Sequence, residues 1–567
     1  MKTMRPLPQS IAASMLLSFL ILIPDSSLAS GPLIPPGAPA PMWKSLQEIQ
    51  PRTLIASLPY NIVTPGSYYL SNNLTVNAGT AITIAASSVT LDLNGCTLAS
   101  TETTATEDAG IAINGGLCNI AIMHGAVQGF GNGIVSSGAS NVWVSGVAVS
   151  GCTDNGIIVG GFGFGAFDVP LNNPNTIVEA CTVTVGGTSD VTGFGGVGIS
   201  ASIVKGCSAV SGGGDGISAY QVSDSMGYAL LSGLPGTAFQ GTGIVAVSAI
   251  NSYGYSAEWC GLSAYVADNC LGYSSNNGEY GLNAYTANNC FGDCASLTGI
   301  GLDVTDANGC TGVGGFAGVW ADGTANGCYG TSPGGYGIWA GAAHNCQGYS
   351  TATNTTGNSV AALSAAVADN CTGGMDGGNP QSGISFYGVQ AEAAHNCTGG
   401  STYGPGVYVY PGTAENCFGS STYGAGVNAV IANNCYGCST NADGILATTA
   451  NNCYGVSQSN DGLDAVNANN CYGFSQTGSW GLYCNVANNS YGNCTGGGNY
   501  GAGLYAGSSA NNCSGYNTRG YGNGLQADIA IGCYGYDNAV GGIGLYVNIA
   551  NSCDGNSDVI THKYNMP

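Results

Sequence analysis

The chain has 567 residues; 96 are glycine and only 7% are charged. So few Glu, Lys and Arg argue against a helical protein, and 44% hydrophobic residues is too many for a disordered one. Acids outnumber bases by 30 to 7, a net charge of −23, which excludes nucleic-acid binding through displaced counterions.

Read from the start, Lys2 and Arg5 precede an apolar run from Ile11 to Ile23, and Ser27-Leu28-Ala29 has small residues at both ends. This pattern predicts a signal peptide over 1–29, cleaved after Ala29, and therefore export to the extracellular space or cell envelope. The apolar run is shorter than the ~20 residues a spanning helix needs, and no later stretch qualifies, so the mature chain is expected to have no transmembrane segment. Cleavage would leave five bases against 29 acids, a net charge of −24. An anionic polysaccharide would be repelled by such a chain unless cations bridged the two. Residues 30–59 are proline-rich and read as an extended linker.

From residue 60 short β-type runs take over. Val89, Leu91 and Leu93 alternate with Thr90 and Asp92, and Asn94-Gly95 supplies a turn. A repeat of the form Asn-Cys-x-Gly follows, with cysteine at 270, 290, 310, 328, 346, 371, 397, 417, 435, 453, 471, 513, 533 and 553 and Ser490 in one place. Those fourteen steps cover 283 residues. Each unit also carries Gly-Leu-x-Ala or a close variant, as in Gly281-Leu282-Asn283-Ala284. A unit this short cannot bury its own apolar face, so neighbours must stack. The steps of 18 residues would also suit a left-handed hexapeptide helix, but Leu463 is followed at six-residue intervals by Asn469 and Ser475, which are not aliphatic. The expected fold is all-β: a single-stranded right-handed parallel β-helix over 60–560, with a tail at 561–567. Roughly two dozen rungs at ~4.8 Å are expected.

Stacking turns each repeat position into a column. The residue before the cysteine is Asn in eleven of fifteen units, Gly at 309, 327 and 532, and Ser at 552. Asn and Gly share a tolerance of positive φ, so this column predicts a sharp turn whose asparagines can bond rung to rung. The cysteine is nearly fixed while the next residue varies, which places the thiol inside and its neighbour outside. Buried thiols are the expected state, because parallel stacked Cβ vectors suit the disulfide dihedral badly. Cys435-x-x-Cys438 has no second pair to complete a zinc site.

Two columns suggest function. The outer position is aromatic on five consecutive rungs, Phe418, Tyr436, Tyr454, Tyr472 and Tyr491. This is either a sheet-stabilising ladder or a stacking strip for sugar rings. Two residues before the cysteine, late rungs carry Asn433, Asn451, Asn469, Asn488 and Asn511, but four earlier ones read His344, Asp369, His395 and Glu415. At ~4.8 Å per rung these could gather on a divalent cation or serve in proton transfer; otherwise they are polar edge residues standing in for Asn.

The stretches Leu58–Leu70 (LPYNIVTPGSYYL) and Val89–Gly95 (VTLDLNG), the Asn-Cys-x-Gly rungs and the ending Lys563–Pro567 resemble the uncharacterised exported bacterial right-handed parallel β-helix proteins of the pectate-lyase-like superfamily. The resemblance covers roughly 44–567 and implies the architecture, with no catalytic motif to carry over. Lyases of this superfamily imply a basic residue beside acidic calcium ligands, whereas Lys205 and Arg519 stand alone; the Gly-His-Gly and Arg-x-Lys signatures of its hydrolases are missing. The expected function is therefore a non-enzymatic scaffold that is structural or binds a polysaccharide or cell-surface component. The alternative is a polysaccharide lyase or glycoside hydrolase with an atypical site.

Overall fold

Each late coil turns on one residue held in the left-handed region. In the repeat units from Cys270 onward this is the residue before the cysteine: Asn289, Asn345, Asn370, Asn396, Asn416, Asn434, Asn452 and Asn470 all have φ between 50° and 54°. Gly309, Gly327 and Gly532 take the same corner at 62° to 63°, and Ser552 at 55°. The alternation of Asn and Gly in the sequence thus follows from one backbone requirement.

A computed structural model describes residues 52–565, apart from 103–106, 161–174, 187–195, 231–240, 276–277, 354–358, 379–384, 497–500 and 519–520. The expected signal peptide and most of the expected linker lie outside the described residues. The described residues contain no helix, are about 65% strand, and wind into a parallel β-solenoid of about 22 turns. Every strand pairs in parallel with its counterpart one coil on, as Leu282, Asn283 and Ala284 do with Leu302, Asp303 and Val304. The first coils, and the one built of Ile157–Ile158, Ile177–Glu179 and Thr182–Val185, have three short strands; between them Cys118–Gln128 and Ser140–Cys152 each run through the second and third sheets. From Ile199–Lys205 onward two of the three merge into one bent strand, whose start continues the sheet of Ile157–Ile158 and whose end continues that of Ile177–Glu179. The third sheet holds four-residue strands such as Phe291–Cys294 and Tyr436–Ser439.

The core is narrow. Leu282, Leu302, Ile338, Leu363 and Leu463 stack fully buried along one wall, and Ala287, Ala307, Ala343 and Ala368 along another. Where the bent strand meets the third sheet, backbone packs on backbone: a Cβ on Gly281 would collide with Asp293 and Gly301. This close approach accounts for the glycine in Gly-Leu-x-Ala.

Both ends of the solenoid reach beyond the expected limits. Strand Thr53–Ile55, inside the stretch read as linker, pairs with Tyr68–Leu70, and Val559–Tyr564, which pairs with the preceding coil, runs on from the expected solenoid into the stretch read as tail. A terminal strand has a neighbour on one side only, so it need not follow the repeat.

All 24 cysteines are free, and those of the repeat are buried. The backbone N–H of Cys270 donates to Cys290 Sγ in the next coil at 3.4 Å, and Cys290 donates likewise to Cys310 Sγ. The thiol in turn donates to carbonyls: Cys453 Sγ lies 3.2 Å from both Asn451 O and Ala432 O. Where serine replaces cysteine the same bonds form, with Cys471 N donating to Ser490 Oγ at 3.1 Å and that hydroxyl donating to Asn488 O at 2.9 Å. The column therefore requires a small group that both donates and accepts. Hydrogen bonding between successive thiols divides the column: with burial it pushes Cys310, Cys328, Cys346 and Cys371 up to about 11, and it lowers Cys270, Cys417, Cys453 and Cys513, so burial is what shields them all from reagents.

Two outcomes follow. The solenoid unit from Arg52 onward should scatter at small angles as a rod, because about 22 turns at ~4.8 Å make roughly 105 Å; a near-spherical particle would contradict this. A thiol reagent should label few repeat cysteines in the native chain and nearly all of them in denaturant without reductant. Low labelling in denaturant would mean disulfides instead.

Candidate functional site

The column of His344, Asp369, His395 and Glu415 is in register, each residue pairing with the next across adjacent coils. Its side chains, however, associate in two separate pairs. His344 Nδ1 lies 3.9 Å from Asp369 Oδ2, and His395 Nδ1 lies 3.2 Å from Glu415 Oε2. All four are about 40% exposed. Among the described residues, no three His, Cys, Asp or Glu come together as a metal ion would require.

The rest of that column shows what the quartet replaces. Asn451 donates its amide to Asn433 Oδ1, Asn469 to Asn451 and Asn488 to Asn469, each at 2.9 Å, and Asn511 to Asn488 at 3.0 Å. The strongest asparagine ladder thus lies one residue before the left-handed corner, in the column of the quartet. Bonds in the corner column itself are longer, such as 3.2 Å from Asn416 to Asn396. The histidine–carboxylate pairs continue the ladder with different side chains.

The expected aromatic strip is formed. Rings of Phe418, Tyr436, Tyr454, Tyr472 and Tyr491 follow one another at 5.2, 5.2, 4.5 and 5.1 Å, with interplanar angles of 15° or less. Phe418, Tyr436 and Tyr454 are 38–41% exposed. Because successive strands are in register, the rings stack face to face at the coil spacing and turn outward a row of ring edges, four of which belong to tyrosines with a hydroxyl.

Sequence reasoning missed a third place. Tyr265 and Tyr285 stack at 4.9 Å with planes 1° apart, both about half exposed, beside a cavity of about 460 Å³ lined also by Asn283, Asp303, Thr305 and Asp322. Asn283 Nδ2 donates to Asp303 Oδ2 at 2.8 Å. Burial pushes the Asp303 carboxyl up to about 6, with Asp322 adding to the rise and the Asn283 bond opposing it. Aligning the units GLSAYVADNC, GLNAYTANNC and GLDVTDANGC would have brought Tyr265, Tyr285 and Thr305 into one column.

Asp443 and Asp461 occupy equivalent positions of adjacent coils. Asp443 Oδ1 accepts from the Asn460 amide at 2.6 Å and from Asp461 N at 3.3 Å, and Asp461 Oδ1 accepts from Trp480 N at 3.1 Å. Burial first, then repulsion from Asp464 on Asp443 and from Asp443 on Asp461, raises them to about 6 and about 7. Asp215, whose carboxylate caps Thr242 N at 2.8 Å, is also pushed up to about 6 by burial.

No known protein family, curated protein or solved structure matches the chain.

Asp215, Asp303, Asp443 and Asp461 bind protons more tightly folded than unfolded, where the value is 3.8. Folded pKa values above the unfolded one add stability that is complete below 3.8 and is lost as pH rises through about 6 to 7. The melting temperature should therefore be higher near pH 5 than near pH 7.5. Relief of the overall negative charge acts in the same direction, so Asp461→Asn isolates the local part: its melting temperature should change less across that range. An unchanged slope would remove Asp461 from the account.

Proposed function

We propose that the chain is an exported, non-enzymatic β-solenoid scaffold that binds polysaccharide along its outer surface. The aromatic stripe from Phe418 to Tyr491 carries this reading. Its coil rise of about 4.8 Å is close to the length of one hexose in an extended chain, so successive rings can meet successive sugars. The outward ring edges and tyrosine hydroxyls of such a stripe suit both the C–H groups and the hydroxyls of a saccharide chain, and a long exposed aromatic row is a surface that binding partners use. Lys2, Arg5, the apolar run to Ile23 and the small residues before position 30 support export. The pectate-lyase-like resemblance and the right-handed winding belong to the same reading, supported by the parallel one-coil pairing.

The reading is tested by a polysaccharide pull-down and glycan array, with product analysis in parallel. Binding without cleavage is expected, and replacing Tyr436, Tyr454 and Tyr472 together by serine should weaken it by about tenfold or more. New reducing or unsaturated ends would establish a carbohydrate-active enzyme instead.

A further inference from the structure

The tyrosine column beginning at Tyr265 stops after two rings. Register places Tyr285 over Tyr265, because Ala264 pairs with Ala284 and Val266 with Thr286. It places Thr305 next, because Ala284 pairs with Val304 and Thr286 with Asp306. Threonine lacks a ring, so the face of Tyr285 turned away from Tyr265 has no aromatic partner in the following coil.

The next coil widens the gap. Between Val304 and Ala307 the chain has two residues, but between their partners Ala321 and Ala325 it has three. This bulge is held by Thr324 N donating to Asp306 Oδ1 at 3.0 Å. Bulges of this kind re-aim side chains at the edge of a site. Asp322, at the start of the bulge, lines the cavity and accepts from Trp320 Nε1 at 3.0 Å. The result is a slot one coil wide, with an aromatic face at one end, Asp322 at the other, and Asp303 with Asn283 along its flank.

An apolar ring face surrounded by oxygen acceptors describes the complement of a pyranose, whose faces are C–H and whose rim is hydroxyl. Asn283 occupies Asp303 Oδ2, and Oδ1 accepts no hydrogen bond among the described residues. No Lys or Arg lines the slot, so an acidic sugar would meet two carboxylates with no compensating cation. The cavity of about 460 Å³ is within the usual size of small-ligand sites.

We propose that this slot is a subsite for one non-anionic pyranose unit of a saccharide chain, which lies against the free face of Tyr285 and donates hydroxyl hydrogen bonds to Asp303 and Asp322. The proposal rests on the polysaccharide-binding reading and adds a position and a charge preference to it. A partly buried Asp303 that resists ionisation gains from a hydroxyl donor, which satisfies it in either protonation state.

The test is calorimetric titration of the full chain with neutral glucan, xylan and mannan hexasaccharides and with an oligogalacturonide of equal length. Thr305→Tyr supplies the missing ring and fills the slot. It should lower affinity for the preferred neutral oligosaccharide by at least about tenfold while leaving the melting temperature unchanged or raised. Tyr285→Ser, which removes the platform without filling the slot, should lower it roughly fivefold. The variant with serine at 436, 454 and 472 should leave this subsite's affinity unchanged. If Thr305→Tyr and Tyr285→Ser bind like the wild type while the stripe variant does not, the subsite is wrong and the general reading stands. Tighter binding of the oligogalacturonide would overturn the charge preference, and with it the proposal. If no saccharide binds the wild type, both the subsite and the reading fall.

Discussion

The structure depends on a left-handed corner repeated once per coil. A chain that must turn sharply from one sheet to the next at one residue, and still bring each strand into register ~4.8 Å from its counterpart one coil away, has few backbone options. Asn at φ near 52° provides one, and Gly the other. With that corner fixed, the buried cysteine after it and the outward residue beyond have no freedom of placement. The inward alanine, the amide ladder and the aromatic stripe are then aligned by register.

Polar satisfaction follows from the same geometry. The corner leaves a buried N–H that the strand ladder does not use, and the sulfur or hydroxyl of the next coil accepts it. This explains why cysteine and serine exchange in one column while valine or alanine never enters it in the repeat units. A methyl would fit the space but would leave the donor unpaired, at about 1–3 kcal/mol per site.

How much of this was legible in the sequence depends on whether a residue repeats. The corner recurs at every step, the thiol at all but one and the stripe over five in a row, so one chain aligned with itself was enough to read them. The quartet was also found, with its role left open: spacing shows that His344, Asp369 and His395 are neighbours, not which of them pair. The terminal strands Thr53–Ile55 and Val559–Tyr564 break the pattern, so the first reads as linker and the second as tail from residue 561. The slot beside Tyr285 was missed because it is made by an interruption. Thr305 matters for what it lacks, and the bulge at Asp322 shifts the alignment that would have exposed it.

The thiol column has one more consequence. A sulfur sits at nearly every coil, about 4.8 Å above the last, silent while its coil is closed. Local opening has its own free energy at each position along a chain whose units touch only their neighbours. The cysteines are therefore a set of evenly placed recorders. The order in which they become modified, read residue by residue by mass spectrometry, would trace where unwinding begins and how far it travels before it reverses.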